Sequence, residues 1–368
     1  MHLDNNQQVF FALVRAGLWE KDIQLSQYNK IDFSEVYRLA EEQSVVGLVA
    51  AGIEHVHDVK VPKELALAFV GSALQLEQQN TAMNEFVARL ITFLRNTDVY
   101  ALLVKGQGIA QCYERPLWRA SGDVDLLLSD TNYEKAKSVL LPKAINVEQE
   151  YKAFKHQGMT MDCGYVVELH GTLHSRLSKR IDKGIDEAQK DVFLGGSVRS
   201  WQNGDTQVFL PGANNDVIFV FTHILHHFYI EGIGLRQICD WCRLLWTYRE
   251  KLDLQLLESR IRKMGLMSEW KAFGALAVDY LGMPVEAMPL FNENDNQNLN
   301  LHKKADRIME FVLESGNFGH NRQKTHGKIP SAWSKAKDFA RHARVFPVDS
   351  VKFFFHFMVN GIQLVTEK

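Results

Sequence analysis

The sequence predicts an α+β fold in which a small mixed β-sheet core is held between an N-terminal and a C-terminal helical region. Three observations carry this. Apolar residues recur at helical spacing up to residue 97 and again beyond residue 212. Between those limits short apolar runs, turn signals and helical stretches alternate, the mark of a sheet with helices packed on it. The composition, 46% hydrophobic and 23% charged over 368 residues, is that of a globular chain long enough for two or three domains. The organisation expected is therefore 1–97 helical, 98–212 mixed α/β, and 213–368 helical.

The first region reads as VFFALVRAGLW, then FSEVYRLAEEQSVVGLVAAGIEHV, then PKELALAFVGSALQLEQQNTAMNEFVARLITFLRN. Asp32 and Ser34 suit the N-cap of the second helix, and Pro62 suits a first helical turn. At Val99 the period changes. VYALLVKG is a strand ended by Gly106, GIAQCYE a turn or two of helix, RPLWRASG an exposed loop, DVDLLLS a second strand and TNYEKAKSVLL a helix. Further strands are expected in NVEQEYKAFKH, QGMTMD and YVVELHGTL, with a late pair, SVRSWQ and TQVFLP, around a turn at Asn203-Gly204. From Asn215 onward, NDVIFVFTHILHHFY, LRQICDWCRLLWTYRE, LQLLESRIRKMG, SEWKAFGALAVDYLG and KKADRIMEFVLES read as successive helices. A polar stretch, SGNFGHNRQKTHGKIPS, and two more helices follow, the last in VKFFFHFMVNGIQLV.

Charge and cysteine usage narrow the function classes. Forty-two Lys and Arg against 44 Asp and Glu leave a formal net charge of -2, which argues against a long nucleic acid as partner. Cys112, Cys163, Cys239 and Cys242 are too few and scattered for a disulfide framework, and MHLDNNQQVF lacks the features of a secretory signal, so a cytoplasmic location is expected. The late apolar stretch is shorter than the roughly 20 residues a membrane span needs, and no membrane association is expected.

The chemistry concentrates at Asp123 and Asp125. Residues two apart in a strand share a face and rise by about 6.6 Å, so these two side chains leave the sheet side by side. An isolated D-x-D can be no more than a solvated strand face. Here it has company: Lys105-Gly106 ends the preceding strand, Arg119 lies in the intervening loop, and Glu168 and His170 share a face of a later strand. Two like charges this close make sense around a cation, and Mg²⁺ takes such oxygen ligands together with substrate phosphates. A third carboxylate at Glu168 completes the ligand set of a two-metal site for in-line phosphoryl displacement. Ser121-Gly122, just before the pair, is a small turn at which phosphate oxygens can approach the backbone.

The run ALLVKGQGIAQCYERPLWRASGDVDLLLSDTNYEKAKSVL resembles the core motif of the uncharacterised nucleotidyltransferase family of the DNA polymerase beta-like nucleotidyltransferase superfamily. That pattern is an apolar strand ending in Lys-Gly, a short helix, a loop Arg, and Gly-Asp-apolar-Asp-apolar-Leu. Lys105, Gly106, Arg119, Asp123, Asp125 and Leu127 fall on it, with Glu168 and His170 matching its later strand. The resemblance spans roughly residues 35–250. It implies transfer of a nucleoside monophosphate from an NTP such as ATP to an acceptor, with pyrophosphate released. Asp123, Asp125 and Glu168 would hold two Mg²⁺ ions, and Lys105, Gly106, Arg119, Ser121 and Gly122 would meet the nucleotide. One departure is visible: the wider superfamily has Gly-Ser or Gly-Gly after the first strand, where this chain has Lys-Gly-Gln-Gly.

Two other constellations compete. His223, His226 and His227 recur at metal-capable spacing, with Asp240 on the next helix, which supports a rival reading as a helical metal-dependent hydrolase. No Glu stands between them as H-E-x-x-H requires. In the family picture His170, His223, His226, Arg236 and Asp240 would instead contact the acceptor, a small molecule or a protein. A further rival is a non-catalytic nucleotide-binding or interaction module on the same fold. Cys239 and Cys242, like Trp241, Trp246, Phe353, Phe354 and Phe355, are expected to pack in helix cores.

Overall fold

A computed structural model describes residues 1–230, 232–316 and 338–354. The fold is α+β. Helices α1 (Asn5–Trp19), α2 (Phe33–Glu42), α3 (Val46–Glu54) and α4 (Lys63–Asn96) precede the sheet. Asp32 caps α2, its carboxylate accepting from the amides of Ser34 and Glu35; Ser34 is thus inside the first turn, and Pro62 sits at the N-cap of α4.

Among the described residues, a five-stranded sheet is built from β1 (Ala101–Val104), β2 (Val124–Leu128), β3 (Ala144–Val147), β4 (His156–Met161) and β5 (Val166–His170) in the order β1-β2-β5-β4-β3. Its β2–β5 pair is parallel and the others are antiparallel. Helices α5 (Gly106–Ala110) and α6 (Asp130–Leu140) follow β1 and β2. Helix α7 (Lys179–Phe193) was not anticipated from the sequence, although Ser178 caps it and Ile181, Ile185, Ala188 and Val192 form its buried stripe. Strands β6 (Val198–Asn203) and β7 (Thr206–Pro211) form the expected hairpin, its turn one residue later, at Gly204-Asp205. Then come α8 (Ala213–Ile230), α9 (Leu235–Tyr248), α10 (Leu254–Met264), α11 (Met267–Leu281), α12 (Glu293–Asn296) and α13 (Leu299–Ser315). Residues 347–354 are helical, whereas most of the polar stretch and the rest of the last apolar run, Phe355 included, lie outside the described residues. No described helix is long and apolar enough to cross a membrane.

The sheet divides two cores. Val124, Leu126 and Leu128 of β2, with Val167 and Leu169 of β5, pack against the second half of α4 and against α6. Leu102, Val104 and Leu127 point the other way, into a larger core that joins α1–α3 to the helices from α7 onward. Across that core Gln43 donates to the Val312 carbonyl and accepts from the Leu235 amide. With apolar layers on both faces, Leu126, Leu127 and Leu128 are fully buried. Each contributes about 1.5–3 kcal/mol, which offsets the cost of burying Asp125 in the same strand.

Candidate functional site

The second face of the sheet carries the chemistry. Asp125 pairs in register with Glu168 across the parallel β2–β5 ladder, and His156 pairs with His170 across the antiparallel β4–β5 ladder. Period-2 alternation therefore sends Asp125, Glu168, His156 and His170 to one side, away from the α4–α6 core. Asp123 stands one residue before β2 rather than within it and is exposed, while Asp125 is 3% exposed. The nearest carboxylate oxygens of Asp123, Asp125 and Glu168 lie within 4.8 Å of one another. Three hard oxygen donors converging in this way fit a divalent cation such as Mg²⁺.

Two cationic groups answer the carboxylates. Lys105 donates from Nζ to Asp125 Oδ1 at 3.0 Å, and His170 Nε2 lies 2.7 Å from the same oxygen. Glu168 Oε2 is 3.1 Å from His156 Nε2 and 3.4 Å from His170 Nε2. Burial would lower the Lys105 pKa, but Asp125, Glu168 and Asp123 outweigh it and hold the ammonium above its ordinary value. Burial likewise works against His170, and its bonds to Asp125 and Glu168 raise it regardless. Asp125 and Glu168 are held below the carboxylate range despite burial, by Lys105 and His170 in the first case and by the two histidines in the second. Asp123 goes the other way, pushed up by the charge of Asp125, then by burial and Glu168.

The turn after β1 is strained. Lys105 adopts φ 56°, unusual for a residue with a side chain, and Gly106 follows at φ 38°. A Cβ on Gly106 would lie 3.4 Å from the Asp123 carbonyl, an ordinary contact, so this glycine is required for its conformation rather than for space. Gly122 differs, since a Cβ there meets open space.

The loop before β2 was expected to be exposed, yet Arg119 is buried within it, at 6% exposure. Its Nε and Nη2 donate to the two oxygens of Asp240 at 2.7 Å each, and Tyr113 donates to Asp240 Oδ1 at 2.7 Å. Asn80 of α4 donates to the Leu117 and Arg119 carbonyls, and Arg236 of α9 donates to the Ala120 carbonyl. Gln107 bonds Asn84 and Asn80 from α5. The loop delivering Asp123 is thus fixed from two helices, α4 and α9, with α5 bracing α4.

A cavity of about 580 Å³ opens over this face, in the size range of small-molecule sites. It gathers Lys105, Gly106, Arg119 and Gly122 with the three carboxylates and His170; half-buried Ser121 stands outside the lining. The far wall is α8 and α9, through His223, His226, Arg236 and Asp240. His226 Nδ1 lies 2.7 Å from the Ser175 carbonyl, and His223 Nε2 lies 3.0 Å from His227 Nε2. Burial, then Lys105 and His227, depress the His223 pKa well below its ordinary value. The Asp240 carboxylate belongs to Arg119 and Tyr113. Cys239 and Cys242 are buried in α9 with pKa values raised by burial. Residues 29–282 match a family described as uncharacterised nucleotidyltransferase, a stretch running from just before α2 to the end of α11. The chain belongs to this family. No curated protein and no solved structure matches it.

The matched stretch of this nucleotidyltransferase-family chain includes both walls of the cavity. Sequence reasoning missed His156, although HQGMTM is apolar on one face only, which marks the face of His156 and Gly158 as the non-core side. It also missed Tyr151, Phe154 and Arg176 at the cavity edge, where the guanidinium lies 5.6 Å and 4.3 Å from the two ring centroids. Their loop positions leave no periodic signal.

Proposed function

We propose that the chain is a Mg²⁺-dependent nucleotidyltransferase that moves a nucleoside monophosphate from an NTP to a hydroxyl-bearing small molecule or protein. The observation that supports this best is the convergence of Asp123, Asp125 and Glu168 on one wall of a cavity of ligand size. In the reaction the acceptor oxygen bonds to the α-phosphorus and gives its proton to solvent, the bond from that phosphorus to the β-phosphate bridging oxygen breaks, and pyrophosphate leaves. Mg²⁺ held by the three carboxylates, two ions in this reading, supplies charge neutralisation and polarisation at the phosphoryl oxygens. Lys105 brings a fixed positive charge, Gly106 and Gly122 let phosphates approach the backbone, and Arg119 acts by holding the loop of Gly122 and Asp123 to Asp240.

His223, His226 and Arg236 form the acceptor side in this proposal, while Asp240, expected there too, is taken up by Arg119 and Tyr113, and His170 by Asp125 and Glu168. The catalytic unit is 98–212, with 1–97 and 213–368 as helical regions around it. Four free cysteines, Cys112, Cys239 and Cys242 buried and Cys163 exposed, suit a reducing, cytoplasmic setting.

The test is thermal unfolding with ATP, GTP, CTP or UTP, with and without Mg²⁺, on wild type, Asp125→Asn and Asp123→Asn. A ligand at about 100 times its Kd adds roughly 2.7 kcal/mol to the native state. A Mg²⁺-requiring shift that is lost in both variants is expected. Asp123 is exposed, so its variant keeps the fold when Asp125→Asn does not. No shift with any NTP, or a shift indifferent to Asp123→Asn, overturns the proposal.

A further inference from the structure

Beside the all-oxygen cluster, the same sheet face carries a ligand set of different character. His156 and His170 are direct cross-strand partners with ring centroids 4.8 Å apart, and Glu168 lies two residues before His170 on the same face. The nearest donor atoms of the three lie within 4.8 Å of one another. Two ligands at about 2.0–2.2 Å from one ion, separated by a right or tetrahedral angle, are about 2.8–3.6 Å apart. Glu168 Oε2 already stands 3.1 Å from His156 Nε2 and 3.4 Å from His170 Nε2, so both carboxylate–imidazole spacings are those of ligands around a common centre.

We propose that His156, Glu168 and His170 form a site for a first-row transition-metal ion, of the Co²⁺ or Zn²⁺ class, with Glu168 shared with the Asp123–Asp125 oxygen site. Imidazole nitrogen suits these ions, and the harder Mn²⁺ accepts it beside a carboxylate, whereas Mg²⁺ demands oxygen ligands. Three protein ligands leave coordination positions open toward the cavity. When His170 turns to the ion, its contact with Asp125 is given up, and Asp125 retains Lys105 as partner. The inference rests on the transferase reading only in taking Glu168 as a cation ligand; the paired histidines carry the rest.

The experiment uses the full chain stripped of metal with a chelator and titrated with Co²⁺ alone, followed by its visible ligand-field absorption. Wild type and His156→Gln are compared, without and with excess Mg²⁺. The expected result is Co²⁺ bands that excess Mg²⁺ does not displace and an affinity in that Mg²⁺ reduced roughly tenfold or more by His156→Gln. Pulsed EPR of Mn²⁺-loaded wild type should show ¹⁴N coupling from imidazole, a readout that needs no variant to fold. Co²⁺ binding equal in wild type and His156→Gln, ready displacement by Mg²⁺, or Mn²⁺ without ¹⁴N coupling each overturns the site. Mg²⁺·NTP stabilisation, measured in parallel, separates the two ideas. Stabilisation without nitrogen-ligated metal removes this site alone, and nitrogen-ligated metal without stabilisation by any NTP removes the transferase reading alone.

Discussion

Replacing Asp240 with Asn tests how the loop that carries Asp123 is held. The side chains of Arg119 and Asp240 are 5% and 6% exposed, and the pair is bidentate. Burial would lower the Arg119 pKa, but Asp240 outweighs it and keeps the guanidinium charged. Asn keeps the shape and removes the charge, leaving a buried cation without its counter-ion. Losing one partner of such a pair costs about 3–5 kcal/mol. With a urea m-value of about 3 kcal/mol per M for a chain of this size, the unfolding midpoint falls by roughly 1–1.7 M. The companion is Arg119→Met with Asp240→Leu, which removes both charges and should recover most of that loss, because apolar replacement of a buried pair is often neutral. The assay is urea unfolding followed by far-UV circular dichroism and tryptophan fluorescence. A loss below about 1 kcal/mol in Asp240→Asn, or a double variant as unstable as the single one, refutes the reasoning, since either means the charge is solvated or satisfied elsewhere.

Glu269, fully buried in α11, has a pKa pushed up to about 8 from its ordinary 4.5 by burial and then by Asp349; Tyr229 donates to its Oε1 at 3.3 Å. Between those two values the folded chain holds a proton that the unfolded chain has lost, so this group makes stability fall as pH rises from 4.5 to about 8. The full span is about 5 kcal/mol at 1.36 kcal/mol per pH unit; Glu269→Gln should flatten this decline in urea unfolding from pH 5 to 8.5, and an unchanged pH profile would contradict it. Gly106→Ala should cost about 1 kcal/mol through its positive φ and should weaken Mg²⁺·NTP stabilisation more than it weakens the fold. A variant as stable and as responsive as wild type would refute that. A thiol reagent should label Cys163 quickly in the native protein and reach Cys112, Cys239 and Cys242 only on unfolding; rapid labelling of all four would show that α9 is not packed as described.

Much of the fold was legible because periodicity is a local property. The change from helical spacing to short runs at Val99 located the sheet, and its return after Pro211 located the later helices. Helix α7 escaped because its four apolar positions are spread through a charged sequence between sheet elements. Asp125 and Glu168 were legible from strand alternation, whereas Asp123 stands one residue before β2 and is brought beside them by the loop that Asn80 and Arg119 hold. Arg119 and Asp240 were not legible as partners. Each was assigned to a different ligand, because 121 residues separate them and no local rule pairs a loop arginine with a distant helical aspartate.

By itself, then, the sequence determined the α+β class, the order of the elements apart from helices such as α7, and the residue types able to bind a cation, all of which follow from periods of two and 3.6 residues and from side-chain chemistry. Tertiary structure decided which of them meet. Registry between β4 and β5 set His156 opposite His170, the parallel β2–β5 ladder set Asp125 beside Glu168, and the helices beyond the sheet closed a wall over them. The physical reason is that register and packing minimise the free energy of the whole chain, so a side chain's partners depend on strands and helices far from it in sequence.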